Sequence, residues 1–175
     1  MKNKYLVGIL TISDRSSRGE REDLGGPLLK ELIEEVGFEV VKASIVPDEK
    51  DEIINELKSM SDDESIALIL TTGGTGFSPR DITPEATIEV CERLIPGIPE
   101  AMRAYSAKIT NRAYLSRAQA GIRKKSLIIN FPGSPKAIKE NLEAVLPFLE
   151  QGLEMLRGGT ADCAKAPSVQ LKVQS

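Results

Sequence analysis

The sequence predicts an α/β sandwich built on a mainly parallel sheet. Apolar runs typical of buried strands alternate along the chain with segments whose apolar residues recur at helical spacing. Three of the four strand-like runs are almost continuously apolar, as expected for parallel strands covered on both faces. The length, 175 residues, suits one compact domain.

Four segments are predicted to be strands: residues 5–12 (YLVGILTI), 38–46 (FEVVKASIV), 66–70 (IALIL) and 126–131 (SLIINF). Glu39 and Lys42 make the second segment more mixed than the others, so we expect it nearer an edge of the sheet. The apolar run of the first segment is short and no small-residue cleavage site follows it. It therefore predicts a strand rather than a signal peptide, and with it a cytoplasmic protein.

Helices are predicted between these strands. Positions 28, 29, 32, 33 and 36 carry apolar residues on one helical face, and Gly37 is a natural stop. A second helix follows Pro47-Asp48. A third is expected to begin with Thr83 as its N-cap and Pro84 in its first turn, and to run through residue 94.

Two further helices are predicted in the second half of the chain. One lies near residues 99–109, and the other starts near Pro135 and continues to about residue 156. Pro147 is expected either to kink this last helix or to start a new one. The composition changes after this point, so we divide the chain into a domain over residues 1–157 and a C-terminal extension over 158–175. The VQLKV segment of the extension could add an edge strand.

The composition excludes several classes of function. A net charge of −3 provides no electrostatic basis for binding nucleic acid or an anionic membrane surface, and no segment is long enough to cross a membrane. The two cysteines are too far apart to form a zinc motif or a disulfide framework. Because there is no histidine, Ser-His-Asp and Cys-His nucleophilic schemes are excluded. Any catalysis must use carboxylates, lysine, arginine, hydroxyls, backbone amides or a hard metal ion.

Polar or glycine-rich loops follow all four predicted strands. They contain residues 13–19 (SDRSSRG), 47–49 (PDE), 71–81 (TTGGTGFSPRD) and 132–136 (PGSPK). In a parallel sheet these loops meet at one edge, the carboxyl ends of the strands, where open α/β folds bind ligands.

The loop after the third strand has a composition typical of anion binding. Thr71 and Thr72 precede it, Thr75 interrupts its glycines Gly73, Gly74 and Gly76, and the basic Arg80 follows. Glycines let backbone amides approach a phosphate closely. The spacing matches neither GxxxxGK[ST] nor GxGxxG, so it predicts an anion site without naming the nucleotide. The alternative interpretation is a tight strand-to-helix turn.

Asp48 and Asp81 are the candidate metal ligands. Each has a structural alternative: Asp48 as a helix N-cap, and Asp81 as a partner of Arg80 or a cap for the helix at Thr83. Both, however, are expected to project into the same crevice from neighbouring strand ends, beside the glycine loop. Mg²⁺ takes one or two carboxylates together with water and substrate phosphates. Phosphoryl and nucleotidyl transfer depend mainly on positioning and charge neutralisation, which such a site supplies without histidine.

Two other loops and one basic run have plain structural interpretations. Residues 13–19, with Ser13 and Asp14, are rich in hydroxyls and donors but are equally typical of a surface loop. In the last loop Gly133 indicates a turn, and Ser134 is a plausible helix N-cap whose helix N-terminus also attracts anions. The basic run at residues 123–125 is predicted to be a solvated loop.

Taken together, TTGGTGFSPRDITPEAT, LTISDRSSRGEREDLGGPLL, IVPDE and LSRAQAGIRKKSLIINFPGSPKAIKENLEAVLP resemble the molybdenum-cofactor biosynthesis proteins of the MogA/MoaB group. The resemblance covers roughly residues 5–156. It implies a three-layer α/β/α sandwich, usually trimeric. It also implies transfer of AMP from Mg-ATP to the terminal phosphate of molybdopterin, with release of pyrophosphate. The product then serves molybdate insertion, or tungstate insertion in tungsten-using organisms, which implies hand-off to a molybdate-inserting protein.

The resemblance also implies roles for individual residues. Asp48 and Asp81 match the aspartates tied to catalysis in the adenylyltransferase members. The expected contacts to ATP and pterin phosphates are Ser13, Asp14, Thr72, Gly73, Gly74, Thr75, Gly76, Arg80, Gly133 and Ser134, with Ser13, Asp14, Thr72 and Ser134 on the pterin side. Two alternatives remain open: a MoaB-type protein that binds pterin with little or no adenylylation, and a non-enzymatic scaffold module.

Overall fold

The computed structural model describes residues 5–159, which form a six-stranded sheet flanked by helices. The strands are β1 (Leu6–Ile12), β2 (Glu39–Val46), β3 (Ile66–Thr72), β4 (Arg93–Leu94), β5 (Ala120–Arg123) and β6 (Ser126–Phe131). The helices are α1 (Asp14–Ser17), α2 (Gly25–Glu35), α3 (Lys50–Asp62), α4 (Thr83–Val90), α5 (Gly97–Ala107) and α6 (Pro135–Leu156), with a 3₁₀ helix over Asn111–Leu115.

The strand order in the sheet is β2-β1-β3-β6-β5-β4. The first four of these strands are parallel, and β5 and β4 add an antiparallel edge. The mainly parallel sheet is therefore confirmed, and so is the edge position of β2. The four strands that precede the candidate loops are neighbours, so their carboxyl ends lie side by side.

Two separate apolar cores lie on opposite faces of the sheet and establish three layers. On one face α2, α5 and α6 pack with residues such as Leu29, Met102 and Leu142. On the other face α3 and α4 pack with residues such as Leu57 and Val90. Strand side chains alternate between the two cores, which explains why the central strands are apolar at almost every position.

Several elements match the sequence-based predictions closely. β1, β2 and β6 agree within one residue, and β3 continues two residues further than predicted, to Thr72. Gly37 follows the end of α2 with a φ of 97°, a left-handed conformation that glycine adopts without steric cost. Ser134 caps α6 by accepting a hydrogen bond from the N–H of Ala137 at 3.2 Å, as predicted.

The predictions for the third helix were wrong in two respects. α4 ends at Val90 rather than running through Leu94, because Cys91 is extended and Arg93–Leu94 pairs with β5. Thr83 does not cap α4; instead its hydroxyl donates to the carbonyl oxygen of Gly73 at 3.0 Å. β4 and β5 were not predicted, since β4 has only two residues, both of them exposed.

The last helix and the basic run also differ from expectation. α6 continues through Pro147, so no new helix starts there. Arg123 is the last residue of β5, and Lys124 and Lys125 form the exposed turn to β6. The predicted solvated loop is therefore confirmed for residues 124 and 125 only, and all three residues form ion pairs with the end of α3 and the residues after it. Arg123 and Lys124 both pair with Asp62, and Lys125 pairs with Glu64.

Residues 160–175 lie outside the described residues, and so does the predicted VQLKV strand. The division between a domain and an extension at residue 158 therefore stays a prediction. Among residues 5–159, no helix combines the length and the apolar character needed to span a bilayer.

Asn130, near the end of β6, is fully buried and links three segments behind the candidate loops. Its amide donates to the hydroxyls of Thr71 and Thr87, at 3.0 and 2.9 Å, and its side-chain oxygen accepts from the N–H of Gln119 at 3.1 Å. We expect Asn130→Ala to lower the free energy of unfolding by about 3 kcal/mol, since each buried polar group left unpaired costs roughly 1–3 kcal/mol.

Urea denaturation of the wild type and the variant measures this loss. Asn55→Ala in α3 is the matched control, because Asn55 is exposed and the same truncation there leaves no buried group unpaired. Equal unfolding midpoints for Asn130→Ala and the wild type would contradict the structural role given to Asn130.

Candidate functional site

The glycine loop after β3 turns sharply at Gly73 and Gly74, whose φ values are 99° and 68°. A side chain is excluded at both positions. A Cβ on Gly73 would collide with the carbonyl oxygen of Ile12, and one on Gly74 would collide with the hydroxyl of Thr83. Within the described residues no protein acceptor takes the N–H of Gly74 or Thr75. The successive N–H groups of Gly74 and Thr75, which follow this turn and have no protein acceptor among the described residues, match an anion-binding nest.

The loop is anchored on both sides by hydrogen bonds. The N–H of Gly73 donates to the carbonyl oxygen of Phe131 at 3.1 Å, and the hydroxyl of Thr72 donates to that of Pro132 at 2.8 Å. These contacts fasten the glycine loop to the loop after β6. The bond from Thr83 to Gly73 fastens it to the start of α4. Thr72 is buried, so the contact we observe for its hydroxyl is structural.

A cleft of about 490 Å³ opens beside this loop, between α5, the 3₁₀ helix and the N-terminus of α6. The four residues of the glycine loop proper, Gly73 to Gly76, line it, together with Asp81, Gly133 and Ser134. Its opposite walls combine apolar side chains with cationic ones. These are Met102, Ala113 and Leu115, and Arg103, Arg112 and Lys136.

Asp81 is held by the glycine loop itself. Its Oδ2 accepts hydrogen bonds from the N–H groups of Gly76 at 3.0 Å and Ser78 at 3.1 Å. It neither pairs with Arg80 nor caps α4, so both alternative interpretations are wrong. Within the described residues, no donor contacts its Oδ1, which leaves one carboxylate oxygen free.

Asp48 is paired with the loop after β1. The N–H of Asp14 donates to Oδ2 of Asp48 at 2.9 Å, and the N–H of Asp48 donates to Oδ1 of Asp14 at 3.0 Å. The helix that follows, α3, takes Glu49 as its N-cap residue, so the N-cap interpretation of Asp48 is wrong. Oδ1 of Asp48 faces Gly74, 3.1 Å from where a Cβ would stand.

Arg80 neutralises Asp14 rather than projecting into the cleft. Its Nε and Nη2 contact the two carboxylate oxygens of Asp14, each at 2.9 Å, and Nη2 also donates to Glu49 at 2.8 Å. The guanidinium lowers the pKa of Asp14. It is therefore engaged by carboxylates in this structure.

Several neighbouring groups shift the pKa of Asp48, and the negative charge of Asp81 is one of them. The pKa of Asp48 is raised, chiefly by burial, and the negative charges of Asp14 and Asp81 add to the effect against the opposing N–H of Asp14. Because burial is the largest cause, the raised pKa reports mainly a desolvated carboxyl group, with the negative charges of Asp14 and Asp81 as smaller contributions. A cation beside Asp48 would favour its ionised form.

The donor set fits Mg²⁺. Among residues 5–159 no cluster of three or more acidic or cysteine side chains could enclose a metal. Mg²⁺ does not require such a cage, because it keeps several waters and binds through one or two carboxylates plus substrate phosphates. Asp48 and Asp81 each offer one oxygen without a protein donor, on the two sides of the glycine loop.

The structure brings the predicted residues together at one edge of the sheet but divides them between two sides. The glycine loop, Asp81, Gly133 and Ser134 line the cleft. Asp48, Asp14 and Arg80 form a linked group on the β1–β2 side, next to Ser13, whose hydroxyl accepts from the N–H of Ser16 at 3.2 Å and caps α1. The predicted residues that do not line the cleft are Ser13, Asp14, Asp48, Thr72 and Arg80. The prediction that Asp48 and Asp81 share one crevice is therefore wrong: Asp81 lines the cleft, and Asp48 faces Gly74 from the β1–β2 side.

Sequence reasoning missed Arg117 and the walls of the cleft. Arg117 lies two residues beyond the 3₁₀ helix and hydrogen-bonds the glycine loop. A basic residue in the LSRAQAG segment is visible in the sequence, but no local pattern shows that it meets a loop some forty positions earlier.

Gly74→Ala tests the tight packing of the loop. Gly37→Ala is the matched control, because Gly37 also has positive φ but no atom lies within 4 Å of the position that a Cβ would take there. We expect the control to lose about 1–2 kcal/mol of unfolding free energy from the left-handed backbone alone. Gly74→Ala should lose roughly a further 1–3 kcal/mol, since its Cβ also overlaps Thr83 and crowds Asp48.

Urea midpoints for the two variants measure the difference. If both lose the same stability, the contacts around Gly74 are not restrictive and the loop is looser than the structure shows.

Comparison with known proteins places the chain in a family. A family model described as "Probable molybdopterin binding domain" matches residues 8–151. A molybdopterin adenylyltransferase of Helicobacter pylori (strain J99 / ATCC 700824) is 47% identical over 154 residues, which cover 87% of this chain and 88% of that protein. The molybdopterin adenylyltransferase of Escherichia coli (strain K12) is 44% identical, over 82% of this chain and 74% of that one.

The fold agrees with this placement. The crystal structure of the molybdopterin biosynthesis enzyme MoaB from Thermus thermophilus superposes with a TM-score of 0.84 at 46% identity. The match covers 90% of this chain and 99% of that one. The glycine loop, the two aspartates and the capped α6 thus stand on a framework shared with these proteins, and the chain belongs to the molybdopterin-binding domain family of molybdenum cofactor biosynthesis.

Proposed function

We propose that this protein is a molybdopterin adenylyltransferase. It transfers AMP from Mg-ATP to the terminal phosphate of molybdopterin and releases pyrophosphate, as a step of molybdenum cofactor biosynthesis. The observation that carries the proposal is the convergence of the glycine loop, Asp81 and the N-terminus of α6 on one cleft, with Asp48 across the loop. The names of the relatives in Helicobacter pylori and Escherichia coli support it.

Phosphate binding falls to the backbone. The unpaired N–H groups of Gly74 and Thr75 can donate hydrogen bonds to a phosphate. The N-terminus of α6 adds the positive end of a 22-residue helix dipole. Arg112 adds cationic charge to the cleft, and the charge of Lys136 is partly offset by Glu140, which also lines the cleft 4.0 Å from the lysine Nζ. A substrate with several phosphate groups is therefore matched by fixed donors that need little rearrangement on binding.

Asp48 and Asp81 are the residues that would hold Mg²⁺. When bound, the ion would neutralise phosphate charge and stabilise the pyrophosphate that leaves. The protein's own contribution is to keep one oxygen of each carboxylate available and to fix the other through backbone N–H groups, from Asp14 for Asp48 and from Gly76 and Ser78 for Asp81.

No side-chain base is needed for this transfer. The attacking group is a phosphate monoester, which is largely ionised near neutral pH and is already a nucleophile. Its oxygen attacks the α-phosphorus of ATP, the bond from that phosphorus to the bridging oxygen breaks, and pyrophosphate leaves. The absence of histidine from the chain is consistent with a reaction that depends on alignment and charge neutralisation.

Arg80 and Asp14 have a supporting role in this proposal. Since Arg80 is held by Asp14 and Glu49, it orients the β1 loop whose N–H group contacts Asp48. Ser13 and the α1 turn belong to the same unit on the β1–β2 side of the loop, whereas Ser134, which was also expected to contact the pterin, lines the cleft. Thr72 acts through its bond to Pro132, which aligns the glycine loop with the Ser134 turn.

The rival function is a MoaB-type protein that binds pterin without transferring AMP. The presence of both aspartates favours the enzyme, because a protein that only binds pterin has no need for a second carboxylate across the loop. A homotrimeric assembly and hand-off of the product to a molybdate-inserting protein are further parts of the proposal and come from the family resemblance. A cytoplasmic location is also part of it and comes from the interpretation of the first apolar run as a strand.

The decisive measurement is pyrophosphate release from Mg-ATP in the presence of molybdopterin. Asp48→Asn and Asp81→Asn are each expected to lower kcat by at least about 100-fold, the scale on which removal of one key electrostatic group slows a reaction. Asp51→Asn is the matched control, because Asp51 is exposed in the first turn of α3 and outside the site.

Circular dichroism of all three variants separates lost chemistry from lost folding. A wild-type protein that binds molybdopterin but releases no pyrophosphate would establish the MoaB-type function. Aspartate variants that keep full turnover would remove Asp48 and Asp81 from the mechanism.

A further inference from the structure

Arg117 forms hydrogen bonds with both ends of the loop segment that carries Asp81. Its Nε donates to the carbonyl oxygen of Gly76 at 2.7 Å, and its Nη2 donates to the carbonyl oxygen of Asp81 at 2.9 Å. Its backbone N–H also donates to the carbonyl oxygen of Thr75 at 2.9 Å. One residue thus contacts three carbonyls of a seven-residue segment, and two of these contacts come from separate nitrogens of one rigid guanidinium.

Asp81 depends on the shape of the same segment. Its carboxylate is fixed by the N–H groups of Gly76 and Ser78, so the distance between residues 76 and 81 determines where its free oxygen stands. Arg117 bridges the carbonyl groups of Gly76 and Asp81. The position of the Asp81 carboxylate therefore depends both on its hydrogen bonds from the N–H groups of Gly76 and Ser78 and on the Arg117 bridge.

Glu85 in turn orients the guanidinium. Nη1 of Arg117 contacts Oε1 of Glu85, and Oε2 of Glu85 is buried with no hydrogen-bond partner within the described residues. Glu85 lies in the first turn of α4, so the bridge is attached to a helix of the core. Such an attachment limits how far the loop can move.

Arg117 does not line the cleft, whereas its neighbours Leu115 and Ser116 do. Its effect on a substrate in the cleft must therefore be indirect. A wall of the cleft and the Asp81 segment meet at this one side chain.

We infer that Arg117 is a positioning residue: its bidentate bridge holds Asp81 and the glycine loop in the geometry required for AMP transfer. The inference rests on the proposed function for its kinetic consequence, but not for its structural one. The geometry of the bridge requires a planar fork, because the two carbonyl oxygens are reached from different nitrogens. A lysine at this position would keep the charge and lose the simultaneous contacts.

The test compares Arg117→Lys with Arg123→Lys. Arg123 is also partly buried and bonded to oxygen acceptors, Ser61 and Asp62, but it touches no residue of the site. With Mg-ATP and molybdopterin, Arg117→Lys is expected to lower kcat by about 10- to 100-fold, as small misplacements of reacting groups do. The Kd of ATP should stay within about threefold of the wild type, because Arg117 contributes no wall of the cleft. Arg123→Lys should keep wild-type kcat.

A second measurement does not depend on turnover. Hydrogen exchange of the Gly76 and Ser78 amides, which donate to Asp81, should become about 10-fold faster in Arg117→Lys, while amides of β1 and β3 keep their wild-type rates. In Arg117→Ala, millimolar guanidinium ion should restore part of kcat and slow the exchange again, and equal concentrations of sodium ion should not.

Each outcome decides the inference. Wild-type kcat and wild-type loop exchange in Arg117→Lys would overturn it, and so would equal losses in Arg117→Lys and Arg123→Lys. If the wild type itself releases no pyrophosphate, the proposed function fails while the exchange measurement still decides the positioning role. Faster exchange at Gly76 and Ser78 then supports that role, and unchanged exchange refutes it.

Discussion

The site depends on parallel pairing of β2, β1, β3 and β6, the four adjacent strands of the sheet. Parallel strands end at the same edge, so the loops after them are neighbours although they are widely separated in sequence. The hydrogen bonds from Gly73 to Phe131 and from Thr72 to Pro132 show this constraint at atomic scale. A change in strand order would separate the glycine loop from the N-terminus of α6, and the cleft would not form.

The site collects negative charge that the protein balances only in part. Arg80 compensates Asp14 fully enough to lower its pKa, whereas the pKa of Asp48 is raised by burial and by its acidic neighbours. Such an arrangement costs stability in the free protein, and a cation or a cationic partner of the substrate would relieve it. In the proposed function, that imbalance makes Mg-nucleotide binding favourable.

Rigidity in the site comes from side chains that never meet a substrate. Asn130 holds β6 to Thr71 and Thr87, Thr83 holds the glycine loop to α4, and Arg117 spans the segment that carries Asp81. Each of these side chains contacts β3 or the loop that follows it, through Thr71, Gly73 and Gly76 respectively. A reaction that proceeds by alignment and charge neutralisation requires hydrogen-bond donors that are preorganised before the substrate binds.

The sequence alone determined the class of fold, the four parallel strands, the capped start of α6 and the list of candidate groups at one edge. Each follows from local signals: apolar periodicity, glycine and proline placement, and residue type. Only the tertiary structure showed the antiparallel edge formed by β4 and β5, the end of α4, the partners of Asp48 and Asp81, and the bridge formed by Arg117. Gly76 and Ser78, the partners of the Asp81 carboxylate, are only five and three positions away. The other features depend on contacts between distant residues, such as Asp14 with Asp48, 34 positions apart, and Arg117 with Asp81, 36 positions apart. No local pattern encodes such a contact, because it contributes stabilisation only once folding has brought the two distant segments together.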